Sequence, residues 1–219
     1  DALPICSEDF AEDTYMDIIF ATGNMDKMHE IKRIMGDLLI NGEPVRIYSM
    51  KEKGVDIDIE ENGSTYAENA TIKAKAVAKL YPESIVLADD SGLEVDYLNK
   101  EPGIYSSRYM GEDTSYYIKN KNILERMEGI PDKKRTARFV CAMAALLPSG
   151  EEVVVRGTME GRIGYEIKGE NGFGYDPIFY LPEYGKTSAE ISAEEKNAIS
   201  HRGQATRKFL AHLREKEDA

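Results

Sequence analysis

The apolar and polar positions in the first half of the chain predict strands that alternate with helices. Residues 17–21 form an apolar run that predicts a buried strand, and residues 45–49 predict a second strand. Between these runs the apolar positions recur at helical spacing: Met28, Ile31, Ile34, Met35 and Leu38. Another helix begins after Thr65, because Thr65 and Glu68 have the spacing of a capping box.

The second half of the chain continues this alternation. The apolar run at residues 85–88 predicts a short buried strand that ends at residues 89–92, whose Asp-Asp-Ser-Gly sequence is typical of a turn. Residues 93–97 then alternate like an exposed strand, and Asp113 or Thr114 is positioned to cap a helix. The remaining predicted elements are a hairpin of residues 138–147 and 151–157, a strand at 177–180, and a helix from about Ser200.

The composition is that of a folded globular protein. The chain has 219 residues, of which 42% are hydrophobic, and no apolar run approaches the ~20 residues that cross a bilayer. Cys6 lies in a polar segment and Cys141 in an apolar run, so we expect no disulfide and a cytoplasmic location. Residues 1–16 are acidic and lack periodicity, which predicts a disordered extension. One domain is expected over residues 17–219, in two lobes with a boundary near residue 110.

The net charge of −12 limits the kinds of partner. Nucleic-acid backbones reward a basic surface, so extended contact with DNA or RNA is not expected. A small phosphorylated ligand remains compatible with an acidic chain, because a few cations and a divalent metal determine the local charge. Acidic proteins that bind polyphosphates usually need such a metal, which is a first indication of Mg²⁺.

A strand, a glycine-containing turn and a helix follow one another around residues 22–27. The backbone N–H groups at a helix N-terminus bind anions, and Thr22 and Asn24 add polar side chains. Lys27 lies where the helix dipole disfavours a cation unless an anion is near. The segment therefore indicates a phosphate site, with an ordinary strand–helix connection as the alternative. Its spacing is not that of a P-loop.

The first helix also contains a fragment of a zinc motif. His29 and Glu30 match its beginning, but Arg33 stands where the second histidine is required. We therefore interpret this segment as a solvated helix face.

Acidic residues are concentrated before one helix and after one strand. Asp89 and Asp90 follow the strand predicted at residues 85–88, and open α/β sheets bind ligands at the carboxyl ends of their strands. Carboxylates suit Mg²⁺, which takes oxygen ligands and retains water, and Glu60 and Glu61 lie where they can complete the cluster. Lys73, two turns into the next helix, is positioned to contact the same ligand. The alternative for the Asp-Asp-Ser-Gly sequence is an ordinary turn.

Two segments near the C-terminus have the groups that bind a planar heterocycle. Residues 171–177 place Phe173 between two glycines and Asp176 before a proline. An aromatic ring stacks on a base, and a nearby acceptor and donors pair with its edge. Residues 194–202 supply two cations and an imidazole: Lys196, Arg202 and His201.

These segments resemble one known family. Five motifs occur in order: Thr22-Gly23-Asn24 with Lys27, Ala88-Asp89-Asp90-Ser91-Gly92-Leu93, Pro102-Gly103-Ile104-Tyr105-Ser106-Ser107-Arg108-Tyr109, Gly172-Phe173-Gly174-Tyr175-Asp176-Pro177, and Lys196-Asn197-Ala198-Ile199-Ser200-His201-Arg202. Over residues 17–213 the chain resembles the non-canonical purine nucleoside triphosphate pyrophosphatases, the inosine triphosphatase-like family. Any one motif is weak, whereas five in order are specific.

The resemblance implies a fold, an assembly and a reaction. The fold is α/β, with a long mixed β-sheet flanked by helices and two lobes around a central cleft. The assembly is a homodimer. The reaction is hydrolysis of dITP, ITP and XTP to the monophosphate and pyrophosphate, which clears deaminated purines from the nucleotide pool. We expect water to attack the α-phosphorus and no membrane or nucleic-acid partner to take part.

The resemblance also implies the roles of individual residues. Asp90 would be the catalytic acid residue, with Ser91 as a neighbouring substrate contact, and Glu60 and Asp90 would hold Mg²⁺, with Glu61 one position away as the other choice. The triphosphate would be bound by Thr22, Gly23, Asn24, Met25, Asp26, Lys27 and Lys73. The base would be bound by Phe173, Gly174, Tyr175, Asp176, Lys196, His201 and Arg202.

Three other functions are open at this point. A house-cleaning pyrophosphatase of the septum-inhibitor type has a similar fold but prefers pyrimidine or modified nucleotides, and the motifs around Phe173 and His201 weigh against it. A non-catalytic nucleotide sensor has less need of the Asp89-Asp90 pair. A dinucleotide dehydrogenase lacks support, because no G-x-G-x-x-G follows the first strand.

Overall fold

The computed structural model describes residues 16–36, 38–40 and 42–217. In this part of the chain, eight strands form one mixed sheet flanked by five α-helices. The strands are β1 Met16–Phe20, β2 Leu39–Ile40, β3 Glu43–Ser49, β4 Ile85–Val95, β5 Thr136–Leu146, β6 Glu152–Ile163, β7 Phe179–Leu181 and β8 Lys186–Thr187. The helices are α1 Met25–Met35, α2 Tyr66–Ala78, α3 Tyr116–Arg126, α4 Ala193–Ile199 and α5 His201–Glu217. Short 3-10 helices occur at Asp96–Leu98, Gly103–Tyr105, Asp132–Lys134 and Asp176–Ile178.

The order of the strands in the sheet is β2-β3-β1-β4-β5-β6-β7-β8. Strand β1 is parallel to β3 and β4, and all other neighbours are antiparallel, so the predicted mixed α/β sheet is confirmed. Helices α1 and α5 cover one face through a cluster that includes Met28 and Phe209, and α2 covers the other face through Ala70 and Ala74. The division into two lobes stays a prediction.

Strand β4 differs most from its prediction. The predicted end of the strand at residues 89–92 and the predicted exposure of the strand after it are wrong, because β4 continues from Ile85 to Val95 and buries Leu93 and Val95 completely. Gly92 allows β4 to pack closely against the segment at Gly103, because an added Cβ would lie 2.2 Å from the carbonyl oxygen of Gly103. The two acidic residues therefore lie in the middle of a long strand.

Other boundaries differ by a few residues. Helix α1 ends at Met35, so Leu38 lies beyond it, and Ser115 caps α3 in place of Asp113 or Thr114. The predicted extension, residues 1–16, lies outside the described residues apart from Met16, which begins β1. No helix among the described residues is both long and apolar enough to span a membrane.

Candidate functional site

A cavity of about 390 Å³ opens beside the middle of β4. Most of the residues predicted to bind substrate line it: Thr22, Gly23, Asn24, Lys27, Lys73, Asp90, Ser91, Phe173, Gly174, Tyr175, Asp176, Lys196, His201 and Arg202. Met25, Asp26 and Glu60 do not line it. The cavity thus brings together segments that are up to 180 positions apart, counted from residue 22 to residue 202.

The turn before α1 is a rigid helix start. The Asn24 side chain accepts hydrogen bonds from the backbone N–H groups of Asp26, at 2.9 Å, and Lys27, at 3.2 Å. The Thr22 hydroxyl accepts the N–H of Asn24 at 3.0 Å. Lys27 has an anionic partner within the protein, since its Nζ lies 3.1 Å from Asp89. Its position in the first helical turn therefore does not by itself require a bound phosphate.

The two carboxylates of β4 lie on opposite faces of the sheet, because side chains alternate along a strand. Asp89 accepts one hydrogen bond from Lys27, at 3.1 Å, and two from Arg202, at 3.0 and 3.1 Å. Burial favours the neutral form of Asp89, but the charges of Lys27 and Arg202 prevail and hold its pKa below the ordinary value. Asp89 is thus a structural partner of two cations.

Asp90 faces α2 and the cavity. Burial raises its pKa, and the nearby charge of Lys73 and the hydrogen bond from Asn69 offset only part of this effect. The Asn69 amide donates to Asp90 at 3.0 Å, and its oxygen accepts the N–H of Gly63 at 2.8 Å. Asn69 therefore orients Asp90 and fixes the loop before α2, a role that the sequence analysis missed. The signal in the sequence is Asn69 itself, because a polar residue next to the buried apolar positions of α2 indicates a specific hydrogen-bond partner.

Glu61, and not Glu60, lines the cavity. Glu61 lies 3.1 Å from Lys73, whereas Glu60 is exposed. The negative charge of Glu61 also contributes to the raised pKa of Asp90, so the two carboxylates repel each other across the site. No group of three or more acidic, histidine or cysteine side chains able to hold a metal occurs among the described residues. Two carboxylates that face one cavity still suit Mg²⁺, which commonly binds one or two protein carboxylates together with substrate phosphates and water.

A chain of alternating charges runs along the cavity from the base loop, residues 172–176, to the first turn of α1. Lys196 donates to Glu30 at 2.7 Å, and Arg202 contacts the other oxygen of Glu30. In order, the members are Asp176, Lys196, Glu30, Arg202, Asp89 and Lys27. The interpretation of Glu30 as part of a solvated helix face is therefore wrong. Its side chain is 12% exposed, and the charges of Arg202 and Lys196 outweigh its burial and lower its pKa.

Hydrogen bonds to the Asp176 side chain hold the base loop in place. Asp176 accepts hydrogen bonds from the N–H of Phe173 at 2.9 Å, from Ser188 at 2.6 Å and from Lys196 at 2.6 Å. The Lys196 ammonium also lies 4.9 Å from the centre of the Phe173 ring. Asp176 is thus occupied in holding the loop, while the half-buried Phe173 ring faces the cavity.

Gly172 is expected to be required in this loop. Its φ is +70°, and an added Cβ would lie 2.2 Å from an Asp176 carboxylate oxygen. Gly129 has a similar φ of +73° with nothing within 4 Å, so Gly129→Ala serves as the matched control for backbone strain alone. Such strain costs about 1–3 kcal/mol. In denaturant titrations, Gly172→Ala should lower the free energy of unfolding by more than Gly129→Ala. Equal losses would mean that Asp176 moves without cost.

His201 presents a neutral imidazole to the cavity. Burial, together with the charges of Arg202 and Lys196, holds the pKa of His201 well below its ordinary value. The ring stacks on Phe139 at 5.0 Å between centres, and its Nδ1 is buried without a hydrogen-bond partner among the described residues. Arg202 differs, since four hydrogen bonds to Asp89, Ser91 and Glu30 account for most of its five N–H groups. His201 is therefore the freer of the two to pair with a ligand.

Comparison with known proteins places the chain in a family. The model of the Ham1 family matches residues 18–212. A dITP/XTP pyrophosphatase of Exiguobacterium sibiricum is 48% identical over 198 residues, which cover 90% of this chain and 97% of that protein. The corresponding enzyme of Clostridium perfringens is 45% identical, over 90% of this chain and 96% of that protein.

Two solved structures are similar along nearly the same length. The Ham1 protein of Staphylococcus aureus has a TM-score of 0.78 and 42% identity, covering 91% of this chain and 99% of its own. A HAM1 protein from Coxiella burnetii has a TM-score of 0.79 and 40% identity over the same shares. Sequence and fold thus agree, and the chain belongs to the Ham1 family.

Proposed function

We propose that this chain hydrolyses the non-canonical purine nucleoside triphosphates dITP, ITP and XTP to the monophosphate and pyrophosphate, and so clears them from the nucleotide pool. The observation that carries the proposal is the single cavity, which joins Lys27, Lys73 and Asp90 to Phe173 and His201. One end has the cations and carboxylate that phosphoryl chemistry needs, and the other has the ring and edge groups that hold a base. The pyrophosphatase names of the similar proteins support the same reaction.

The phosphate end is assigned to Lys27, Lys73 and the N-terminus of α1. Lys27 is oriented by Asp89, so its ammonium is fixed before the substrate enters. A fixed charge stabilises the transition state at little reorganisation cost. We propose that Lys27, together with the dipole of α1, stabilises the negative charge that grows on the leaving pyrophosphate. Lys73 binds the chain of phosphates on the α2 side, after it leaves its ion pair with Glu61.

We assign to Asp90 the role of the general base that accepts the proton of the attacking water. Asp90 lines the cavity, and Asn69 holds its carboxylate in one orientation, as a general base requires. Asp90 and Glu61 would hold Mg²⁺, which when bound supplies positive charge to the phosphate oxygens and lowers the pKa of water. Glu61 replaces Glu60 in this assignment, because only Glu61 lines the cavity.

Base preference is assigned chiefly to His201. Hypoxanthine and xanthine have an oxygen acceptor at the 6-position, whereas adenine has an amino donor there. An N–H group of the His201 imidazole, which lines the cavity, would pair with the oxygen and would be left unpaired by adenine. A buried group without a partner costs about 1–3 kcal/mol, or roughly ten- to hundredfold in rate.

Release of pyrophosphate from a panel of nucleotides tests the proposal. We expect turnover of ITP, dITP and XTP in Mg²⁺, ATP turned over at least about tenfold more slowly, and loss of all activity in EDTA. Glu61→Gln should raise the Mg²⁺ concentration needed for half-maximal rate, and its neighbour Glu60→Gln is the matched control that should not. Full activity in EDTA would remove the metal from the mechanism, and no pyrophosphate from any of the three nucleotides would refute the function.

Two finer properties remain part of the proposal: assembly as a homodimer and a cytoplasmic location. Both rest on the resemblance to the family. A monomer mass by light scattering would contradict the first.

A further inference from the structure

Tyr116 lies at the mouth of the cavity, between its phosphate end and its base end. It is the first residue of α3, is 36% exposed and lines the cavity. On the base side, its ring packs edge-on against the ring of Tyr175, with 5.2 Å between centres. A Cβ built on Gly174 would lie 3.7 Å from the Tyr116 ring.

On its other side, Tyr116 lies within electrostatic range of Asp26, in the first turn of α1. Burial raises the pKa of the Tyr116 phenol, and the negative charge of Asp26 raises it further. Asp26 is the neighbour of Lys27, which we assign to the phosphates. Tyr116 is thus close to both assigned ends of the cavity, and it belongs to neither of them.

Several hydrogen bonds hold α3 in this place, and two of them are close to Tyr116 along the helix. Lys119 donates to the carbonyl oxygen of Ser107, a cavity-lining residue, at 2.6 Å, and its ammonium lies 4.8 Å from the centre of the Tyr116 ring. Asn120 donates to the carbonyl oxygen of Gly174 at 3.0 Å. The ring of Tyr116 is therefore fixed relative to the base loop.

We propose that Tyr116 contacts the ribose of the bound nucleotide. In any nucleoside triphosphate the sugar joins the base to the α-phosphate, so it must cross the part of the cavity between the two ends. A tyrosine ring offers an apolar surface to the C–H groups of a sugar, and its hydroxyl group pairs with sugar hydroxyls. The inference rests on the proposed function and adds a sugar contact to it.

Calorimetric binding of IMP and of pyrophosphate, without turnover, tests the contact. Tyr116→Ala should bind IMP about tenfold more weakly, which corresponds to about 1.4 kcal/mol, and should bind pyrophosphate as the wild type does. The unchanged pyrophosphate affinity shows that the variant is folded and that its phosphate end is intact. Tyr117→Ala is the matched control, since Tyr117 is the next residue on α3, is 62% exposed and does not line the cavity.

A second variant tests the position of the ring without removing it. The chain has no tryptophan, so Tyr116→Trp would carry the only indole in the protein. Its fluorescence should change when IMP is added and should not change with pyrophosphate alone. Tyr117→Trp should respond to neither ligand.

The outcomes separate the sugar contact from the function. Wild-type affinity of Tyr116→Ala for IMP, or an unresponsive Tyr116→Trp, would overturn the sugar contact and leave the proposed function in place. Wild-type protein that neither binds IMP nor hydrolyses ITP would overturn both. Equal weakening of IMP and pyrophosphate binding would also refute the sugar contact, because it would indicate general damage to the cavity.

Discussion

Asp90→Asn is expected to reduce the rate of pyrophosphate release from ITP by roughly 10²–10⁴-fold, with IMP affinity nearly unchanged. Asparagine keeps the size of the side chain but loses the negative charge that accepts the proton and binds Mg²⁺. One of the two donors that Asp90 satisfies, Ser91 N–H or the Asn69 amide, loses its acceptor. The loss of a buried charge offsets part of this cost, so the fold should persist.

Steady-state kinetics and IMP calorimetry on the same preparation check this expectation. Asp58→Asn is the control, because Asp58 is an exposed acid of the loop before α2 that does not line the cavity. It should retain wild-type turnover. Near-normal turnover by Asp90→Asn would assign the proton to another group.

Glu30→Gln is expected to lower the free energy of unfolding by about 3 kcal/mol. Glutamine fits the same space but leaves Lys196 and Arg202, which are 6% and 1% exposed, each with one anionic partner fewer. Glu166→Gln is the control, since its pair with Lys168 is exposed to solvent and should contribute little. Urea or thermal unfolding of both variants measures the difference. Equal stability of Glu30→Gln and wild type would show that the charge chain is stabilised by Asp89 and Asp176 alone.

The pH dependence of this loss has a definite sign. The charges of Arg202 and Lys196 prevail over burial and hold the pKa of Glu30 below its ordinary 4.5. A lowered folded pKa means that the stabilisation is complete above the unfolded value and is lost as pH falls from there through the folded pKa. The stability difference between wild type and Glu30→Gln should therefore shrink as pH falls below about 4.5. A constant difference would attribute the loss to packing.

Local patterns in the sequence predicted the elements that depend on neighbours along the chain. The N-cap at Thr65, the turn before α1 and the buried faces of the helices are local, and the structure contains them; the Glu68 side chain accepts the N–H of Ser64 and does not complete a capping box. Strand β4 was predicted wrongly at residues 89–92, because Asp-Asp-Ser-Gly is good turn chemistry in isolation. The strand continues because β4 pairs with β5 from Val86 to Val95, and a local pattern does not reveal this pairing.

The candidate site divides in the same way. The glycines, the cations and the aromatic ring in the sequence identified candidate site residues, and 14 of the predicted residues line one cavity. The ion pairs around the site could not be predicted from local patterns, since Glu30 contacts Lys196 and Arg202 across separations of 166 and 172 residues. Asn69 was not predicted for a different reason. The helical spacing of α2 identifies apolar positions, and this criterion does not select a buried amide among alanines.

The pairing of β4 along both edges has a consequence for changing the substrate of this protein. It pairs with β1 at residues 85–87 and with β5 from Val86 to Val95, and the pairing with β5 holds the backbone at Asp90 in register. Exchange of the segments around Phe173 and His201 for those of another relative would alter the base that is accepted without moving Asp90. Redesign of the preference for one nucleobase over another is thus a problem of loop grafting, and the hydrolytic chemistry stays with the sheet.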